Sequence, residues 1–508
     1  MAQFKKNTNS IDKLLKNKQY EQVIEKCIHL YVSQSNDITY LNYVLQSYKE
    51  NILYEKNNNI RINAIEDFKK LLLHTPAHYS IQFCILHNEV GIYYVDLNDY
   101  KNAISHFKKA LTVKKDIPDI YNNIAICHNL LKEYDKSRIN LKIVLQFKQD
   151  DIIYRRLGEL NFITKRYDQS IKDYESIINP SSQDIYNLSF SYLAKKQFLH
   201  GYKLYESRLA YNNICSQTNN IMRAEIPSIQ YWNGTDECHN LIIIYEQGIG
   251  DNIQYFRFII ELANNFPQLK ITYFCKSNIS HLFNTELYEN IMIIADSKPI
   301  DISIYDKKLY IMSLPYILKL EKITPNTINY INEDVNNNSV WKIKLSNFDN
   351  KLKVGFVYSG LLISYVDKHI QLGDFRDICN DNRFQTFCIH QNDATISSDF
   401  LNIDFADKII RYDNFDTTKS FSDTIPLLRN IDILVTIDTS IAHIAGVMGV
   451  KTLLLIGYAS EWRWFDTDDK IWYESVQIIR MTQQKPLAEL LPNIKNILIM
   501  EYMNKYLT

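Results

Sequence analysis

The residues best suited to chemistry follow a short apolar run at residues 433–437. Asp438, Thr439 and Ser440 come directly after this run, and His443 lies three residues beyond Ser440. Such a run is typical of a buried strand, and the pattern after it predicts a helix that begins at once. Because the first amides of a helix are unpaired and its dipole is positive at that end, the turn is a ready site for a phosphate group. Ser440 and His443 would share the helix face toward that ligand.

The same residues also have a purely structural interpretation. Asp438, Thr439 or Ser440 could cap the helix, and His443 could be a packing residue. Asp438 would sit poorly beside a phosphate, so a hydroxyl or amide partner suits its carboxylate better. The residue pattern alone leaves both interpretations open.

A glycine-containing turn follows a second apolar run, residues 241–245. Gln247, Gly248, Gly250 and Asp251 lie in this turn, and an amphipathic helix is predicted at about residues 252–264. The turn lacks the third glycine of the dinucleotide fingerprint and the Gly-Lys-Ser/Thr ending of a nucleotide triphosphatase loop. It is therefore not a standard phosphate loop, and from the residues alone Asp251 can be a helix cap.

The segment Trp462-Arg463-Trp464 follows a third apolar run, residues 451–456, and so is expected at the same sheet edge as Asp438. Arg463 could pair with a phosphate through its guanidinium fork. Alternatively, the two tryptophans pin the last crossing segment to the sheet.

Seven short apolar runs are predicted strands, and helical patterns separate most of them. Their alternation predicts doubly wound parallel sheets. An Asn-rich stretch at residues 332–339 divides the strands into two groups, so we predict two Rossmann-like lobes with a ligand-binding cleft between them. The predicted strands are residues 241–245, 270–274, 291–294, 353–358, 384–389, 433–437 and 451–456.

Before about residue 210, the apolar residues have helical spacing throughout. A short phrase recurs with an aromatic residue at Tyr100, Tyr134, Tyr167 and Phe198, spaced by 34, 33 and 31 residues. A period near 34 with a small residue three positions after the aromatic one resembles the tetratricopeptide repeat. Together with degenerate earlier copies, it predicts five or six helical hairpins that stack into a superhelix with a concave, peptide-binding surface. The repeating aromatic residues themselves are expected to be repeat core.

These patterns predict an α-solenoid followed by an α/β pair of lobes. We expect a helical repeat domain at residues 1–215, a linker at 216–239, an N-terminal lobe at 240–345 and a C-terminal lobe at 346–508. With 57 basic and 58 acidic residues, the chain lacks the charge excess that nucleic acids or anionic membranes attract. No stretch approaches the ~20 apolar residues of a membrane span.

No metal site is expected. The eight cysteines form no Cys-x-x-Cys pair and no Cys/His spacing of the zinc type, so we predict reduced thiols in a cytoplasmic protein. Asp466 and Asp468 imitate a metal-binding Asp-x-Asp pair, but their loop position predicts a solvated acidic cluster.

Four motifs occur in order after the repeats, and no single one would identify a family. In this order they resemble a family of repeat-bearing, bacterial-type glycosyltransferases, which is similar to the heptosyltransferases of lipopolysaccharide synthesis and distantly to protein O-GlcNAc transferase. The motifs are Tyr245-Glu-Gln-Gly-Ile-Gly-Asp251, Val354-Gly-Phe-Val-Tyr-Ser-Gly360, Ile437-Asp-Thr-Ser-Ile-Ala-His443-Ile-Ala-Gly446 and Glu461-Trp-Arg-Trp464.

The resemblance implies a GT-B fold, in which a nucleotide-sugar donor binds the second lobe and the acceptor faces the first. Asp251 then matches a general base that takes the proton of the attacking hydroxyl. Gln247, Gly248 and Gly250 would form the acceptor-side loop. We expect an inverting, metal-independent sugar transfer, with no cofactor beyond the donor, to a protein or glycan acceptor presented by the repeats. The implied donor-binding residues are Ser359, Gly360, Lys368, Asp438, Thr439, Ser440, His443 and Arg463.

The sequence departs from the family at residues 361–369, where the histidine expected after Ser359 and Gly360 is missing. Lys368 could replace a basic residue of the family, but lysine offers a point charge where arginine offers a fork. The alternative is therefore a catalytically decayed scaffold that retains only partner binding by its repeats.

Overall fold

The computed structural model describes residues 2–33, 37–55, 58–75, 80–210, 228–360, 369–390, 394–467 and 470–507. The chain forms two compact units. The first consists of Met1–Leu160 and Glu175–Asn179, and the second of Asn161–Tyr174 and Pro180–Thr508. Lys368 and most of the divergent stretch 361–369 lie outside the described residues, as do residues 216–227 of the predicted linker. The predicted domain boundaries remain predictions.

Twelve α-helices are described up to residue 205, which corresponds to six hairpins and confirms the predicted helical array. Successive helices pack in pairs, for example α5 with α6 and α7 with α8. The helices are α1 (Ala2–Lys16), α2 (Tyr20–Ser33), α3 (Ile38–Glu55), α4 (Asn58–Leu73), α5 (Ser80–Asp96), α6 (Tyr100–Val113), α7 (Pro118–Leu130), α8 (Tyr134–Phe147), α9 (Asp151–Ile163), α10 (Tyr167–Glu175), α11 (Ser182–Ala194) and α12 (Phe198–Tyr205).

The recurring phrase marks the turn inside each hairpin. The residue two positions before the aromatic one has a left-handed backbone at Lys18, Asn98, Lys132, Lys165 and Lys196, with φ between 57° and 61°. This conformation ends one helix so that the aromatic residue can begin the next. The small residue of the phrase then permits close helix packing. At Gly201, an added Cβ would lie 2.7 Å from Cγ of Leu193 on the paired helix.

The second unit contains two parallel sheets. The first has the strand order β3-β2-β1-β4. The second has the order β10-β9-β8-β5-β6-β7, in which β5 starts the sheet and β8 is added on its other side. Its strands follow the 3-2-1-4-5-6 order of the doubly wound dinucleotide fold, whose ligands bind where the order reverses. The strands are β1 (Asn240–Ile244), β2 (Lys270–Cys275), β3 (Ile291–Ala295), β4 (Lys307–Tyr310), β5 (Leu352–Val357), β6 (Phe384–Cys388), β7 (Ile409–Ile410), β8 (Ile433–Ile437), β9 (Thr452–Ile456) and β10 (Val476–Arg480).

Helices separate most of these strands. The helix after β1 starts three residues earlier than predicted, because Gly248 rather than Asp251 is its N-cap residue. The second sheet's inner residues, such as Val354, Val435 and Leu455, pack with the C-terminal helix in one apolar core. The helices are α13 (Ile249–Asn265), α14 (Leu314–Ile317), α15 (Val335–Leu345), α16 (Arg376–Cys379), α17 (Ala394–Leu401), α18 (Thr424–Asn430), α19 (Ser440–Val447) and α20 (Leu491–Tyr506). None of the described helices combines the length and apolar character needed to cross a membrane.

Candidate active site

The loops at the reversal points of both sheets open on one cavity of about 730 Å³. The glycine turn follows β1, Ser359 and Gly360 follow β5, and Asp438 follows β8. Helices α13 and α19, which begin at these loops, pack against each other. The cavity is lined by every site residue predicted from the sequence within the described part of the chain, namely Gln247, Gly248, Gly250, Asp251, Ser359, Gly360, Asp438, Thr439, Ser440, His443 and Arg463.

Gly250 brings the two lobes into direct contact. A Cβ atom added there would lie 3.0 Å from Cδ2 of His443 and 3.4 Å from Cα of Ser440. Any larger residue would push the glycine turn away from the start of α19. Glycine at this position is therefore explained by close backbone approach rather than by phosphate binding.

Thr439, one of the three residues that the structural interpretation allowed as a cap, does not cap α19 with its side chain. Thr439 is the N-cap residue, yet its side chain makes no capping hydrogen bond. Its buried Oγ1 has no hydrogen-bond partner among the described residues. Gly360 lies against it, since an added Cβ there would be 3.0 Å from Cγ2 of Thr439. The loops after β5 and β8 thus meet beside a helix start that faces the cavity.

His443 is both a packing residue and a lining residue of the cavity. Its imidazole ring stacks on Trp464 with centroids 5.2 Å apart, and its Nδ1 lies 3.0 Å from the hydroxyl of Tyr473. Gly446, one turn later, leaves room for the same tyrosine, because an added Cβ would come within 2.4 Å of its ring. The two interpretations of His443 are therefore compatible.

Asp251 likewise combines a structural and a site position. Its Oδ2 accepts a hydrogen bond of 2.9 Å from the amide of Gly248, which is half of a capping box. Its Oδ1 lies 3.0 Å from Nη2 of Arg463. The side chain is 21% exposed and lines the cavity.

Arg463 links several residues of the site. Its Nη2 also donates to Oε1 of Gln247 at 3.1 Å, and its Nη1 lies 3.4 Å from Oε2 of Glu461. Burial opposes the charge, but Asp251 and Glu461 outweigh it and hold the pKa of the guanidinium well above its ordinary value. Its Nε is buried and has no hydrogen-bond partner among the described residues.

Carboxylates outnumber cations around the cavity. Asp251, Asp438 and Glu461 line it, and Arg463 is the one lysine or arginine among the described lining residues. Anion binding here would depend on the start of α19 and on Arg463.

Several lining residues were not anticipated. Helix α11 contributes Gln183, Tyr186, Asn187 and Phe190. Their only sequence signal is the spacing of one helix face. His390, directly beyond β6, also lines the cavity, and its Nε2 accepts a hydrogen bond of 3.2 Å from the amide of Tyr358. A histidine just after a buried strand was a signal that could have identified it.

The Trp462-Arg463-Trp464 segment also packs on the last repeat helices. The ring of Trp462 lies 6.1 Å from that of Tyr202 and 6.3 Å from that of Tyr205 in α12. The prediction that Asp466 is part of a solvated cluster is wrong. The carboxylate of Asp466 accepts a hydrogen bond from the hydroxyl of Tyr167 and lies 2.7 Å from Nζ of Lys165, because the repeat helices of the second unit cover this loop.

A buried ion pair supports the glycine turn from behind. Arg208, with no exposed surface, donates from Nε and Nη2 to the two carboxylate oxygens of Glu246 at 3.1 and 2.7 Å. Glu246 directly precedes Gln247, whose backbone is left-handed with φ 60°. The amide of Met312 donates to the same carboxylate at 3.0 Å. These bonds fix the position from which the turn departs.

Comparison with known proteins adds a sequence match in the first unit. Residues 86–117 match the family model described as "Tetratricopeptide repeat". This segment is a tetratricopeptide repeat. The chain also matches BBSome complex member BBS4 of Mus musculus, at 24% identity over 88 residues. The match covers 17% of this chain and 17% of that protein's length.

Both parts of the chain are similar to solved structures. E. coli ADP-heptose lps heptosyltransferase II is 12% identical with a TM-score of 0.36, covering 52% of this chain and 99% of that one. A glycosyl transferase family 9 protein from Veillonella parvula is 12% identical with a TM-score of 0.38, and the similarity covers 52% of this chain and 97% of that one. MamA is similar to the tetratricopeptide array, at 17% identity and a TM-score of 0.29, and the similarity covers 32% of this chain and 96% of MamA. The strand orders themselves establish the predicted fold class, a helical array followed by a GT-B-like pair of parallel-sheet lobes.

Proposed function

We propose that the protein is a glycosyltransferase that moves a sugar from a nucleotide-sugar donor to a protein or glycan acceptor presented by the repeats, in the cytoplasm. The observation that carries the proposal is the shared cavity, where the reversal points of two parallel sheets meet. Each reversal point is a preferred ligand position in its own right. Two of them in one cavity suit a reaction between two substrates.

The donor would occupy the second lobe. Its diphosphate would face the amides at the start of α19, with the guanidinium of Arg463 as the charged partner. Asp438, which repels phosphate, would accept hydrogen bonds from the hydroxyls of the sugar. Ser359, Gly360 and Thr439 would complete this side, and Lys368 would add positive charge.

The acceptor would approach from the first lobe. Its hydroxyl oxygen attacks the anomeric carbon while the bond from that carbon to the diphosphate oxygen breaks. The leaving nucleoside diphosphate takes the electron pair, and Asp251 takes the proton of the hydroxyl. A single displacement of this kind inverts the anomeric centre. The start of α19 and Arg463 stabilise the charge on the leaving group, so we propose that no metal is required.

Calorimetric titration of the full chain with UDP-, GDP-, ADP- and CMP-sugars tests this function. We expect one nucleotide class to bind, with affinity lost when Asp438 is changed to Ala. If none of these donors binds, the proposed function is wrong.

A decayed scaffold is the second candidate, and the ion pair between Asp251 and Arg463 favours it, because it occupies the proposed base. A scaffold would bind its partner equally well in the wild type and in Asp251→Ala, and neither would transfer sugar. Mass spectrometry of the partner after incubation with the donor separates the two functions.

A further inference from the structure

A chain of hydrogen bonds leads from the last repeat helix to the proposed base. The hydroxyl of Tyr205 in α12 accepts a bond of 2.7 Å from Nε2 of Gln247. Oε1 of the same amide accepts a bond of 3.1 Å from Nη2 of Arg463, and this Nη2 also lies 3.0 Å from Oδ1 of Asp251. Tyr205 has no exposed surface, so any effect it has on a ligand passes through its neighbours. We call this chain the Tyr205 relay.

The side-chain amide of Gln247 is used at both ends. An amide nitrogen only donates hydrogen bonds, and an amide oxygen accepts them. Because a guanidinium has no acceptor, Arg463 requires the oxygen, which turns the nitrogen toward Tyr205. The hydroxyl of Tyr205 then fixes this orientation. Without that hydroxyl, the amide would lose one of the two bonds that orient it.

The backbone of Gln247 is held in a left-handed conformation, with φ 60°. This conformation is unfavourable for a residue with a Cβ atom, whereas glycine adopts it freely. The carbonyl of Gln247 accepts a bond of 3.3 Å from Nζ of Lys276, and the next amide, that of Gly248, donates to Asp251. A glutamine at a position that suits glycine indicates that its side-chain amide is what the site uses.

Arg463 needs a fixed acceptor when the donor arrives. Nη2 of a guanidinium has two hydrogens, and here one is directed to Gln247 and the other to Asp251. A donor diphosphate that displaces Asp251 takes over the second hydrogen. The bond to Gln247 then remains, so it keeps the plane of the guanidinium directed at the cavity while the base is released.

Tyr202 in the same helix is a matched counterpart of Tyr205. It is 1% exposed, and its ring lies 6.1 Å from that of Trp462, compared with 6.3 Å for Tyr205. Its hydroxyl lies 3.2 Å from that of Tyr255 instead of from the glycine turn. The two tyrosines therefore share burial and aromatic packing. The bond to Gln247 distinguishes Tyr205.

We propose that Tyr205 is a positioning residue of the active site, which orients Arg463 through Gln247 for the diphosphate of the donor. The identity of this ligand rests on the proposed function, whereas the coupling between Tyr205 and Arg463 does not. A helix of the repeat array thus takes part in donor binding without touching the donor.

The test uses full-length variants and two independent measurements. Tyr205→Phe removes only the hydroxyl, and Tyr202→Phe is the matched control. Gln247→Met keeps the length of the side chain and removes both of its hydrogen bonds, and Arg463→Gln removes the guanidinium. Urea unfolding followed by tryptophan fluorescence measures the stability of single and combined variants. Calorimetry measures their affinity for UDP-, GDP-, ADP- and CMP-sugars.

The stability measurements test the relay without any ligand. We expect Tyr205→Phe and Arg463→Gln to be coupled by at least about threefold in the unfolding equilibrium constant, because both residues belong to one hydrogen-bonded network. This coupling should disappear in the Gln247→Met background. Tyr202→Phe and Arg463→Gln should be additive within about twofold. Equal coupling for the two tyrosines would overturn the relay, as would a Tyr205→Phe protein that does not fold.

The affinity measurements test the role of Tyr205 in the site. For the nucleotide sugar that binds the wild type, we expect affinity about threefold to tenfold lower in Tyr205→Phe and in Gln247→Met, and within about twofold of the wild type in Tyr202→Phe. Tyr205→Phe should have no further effect in the Gln247→Met protein. Equal affinity in the wild type and Tyr205→Phe would overturn the positioning role. If no donor binds the wild type, the proposed function fails, and the stability measurements alone decide whether Tyr205 acts on Arg463.

Discussion

Arg463 and Asp251 are paired across the cavity, with Nη2 of the arginine 3.0 Å from Oδ1 of the aspartate. The arginine lies after β9 of the second sheet and the aspartate after β1 of the first, so the pair joins the two halves of the proposed reaction. A donor diphosphate would compete with Asp251 for this guanidinium. Donor binding and release of the proposed base are therefore coupled, and the following predictions begin from that coupling.

Replacing Arg463 by Gln should weaken donor binding by about 10- to 100-fold, because a charge-assisted hydrogen bond to phosphate contributes about 1.5–3 kcal/mol. Arg463→Lys should have a smaller effect, since it keeps the charge but not the fork. Calorimetry with the donor that binds the wild type measures both. Equal donor affinity in the wild type and both variants would show that Arg463 does not bind the donor.

Replacing Asp251 by Asn should separate binding from turnover. The amide oxygen can still accept the hydrogen bond from Gly248, so α13 keeps its cap. We expect donor affinity within about threefold of the wild type and turnover reduced at least about 100-fold, because the base is lost. Asp438→Ala is the counterpart and should abolish donor binding. Parallel losses of affinity and turnover in both variants would contradict these separate roles.

Replacing Arg208 by Met should destabilise the second unit by about 3–5 kcal/mol, since Glu246 is left buried without its partner. The double variant Arg208→Met with Glu246→Leu should recover part of this loss, because the 4% exposed carboxylate of Glu246 is removed and only Glu206, which is 18% exposed, is left without the arginine. All five tryptophans of the chain lie in the second unit, so their fluorescence during urea unfolding reports on it. If the double variant is no more stable than Arg208→Met, the loss of stability does not come from the unpaired charge of Glu246.

The buried histidine pair of the first unit should make its stability depend on pH. Nδ1 of His87 lies 3.0 Å from Nδ1 of His106, and burial lowers the pKa of each imidazole to about 4, aided by neighbouring positive charges. In the unfolded chain the pKa is about 6.5. The unfolded state thus binds more protons between these values, so stability is full above about pH 6.5 and falls as the pH approaches 4.

The expected loss is on the order of 3 kcal/mol for each histidine that the unfolded chain protonates as the pH falls to 4. It is measured by urea unfolding followed through helical circular dichroism between pH 7.5 and 4. A His87→Gln plus His106→Gln variant, which cannot titrate there, is the control. The same pH slope in wild type and variant would show that other groups are responsible.

In the second unit, the strands that the sequence predicted are mostly those that can be recognised from the hydrophobicity of their own residues. The apolar runs that became β1, β2, β5, β6, β8 and β9 are buried on nearly every residue, so they read as continuous hydrophobic segments. Strands β4, β7 and β10 were missed. β4 begins with Lys307 and Lys308, β7 has two residues, and β10, at the sheet edge, is buried at only two of its five residues. Such strands are set by pairing with a neighbour rather than by their own composition.

The candidate site also contains residues that local sequence patterns predicted and residues that only long-range packing brings to the cavity. Turns after predicted strands are local features, which is why the predicted site residues within the described chain line one cavity. Tyr186 and Phe190 line it because α11 packs beside the Trp462-Arg463-Trp464 segment, which is about 270 residues away in the chain. No local pattern encodes that contact. For Asp251, the sequence allowed a cap or a base. In the structure Gly248 is the N-cap residue, and the Asp251 carboxylate accepts its amide hydrogen bond and pairs with an arginine that the sequence did not suggest.

Helices from the end of the array are integral to the second unit, which takes in Asn161–Tyr174 and begins again at Pro180. A chimera that exchanges the array for another by cutting at residue 215 would therefore remove a wall of the cavity and the aromatic support of Trp462. The workable seam for such grafts lies near residue 160, which keeps Asn161–Tyr174 with the second unit. The transplanted repeats could then differ in number and in the partners they bind, while every wall of the active-site cavity is retained.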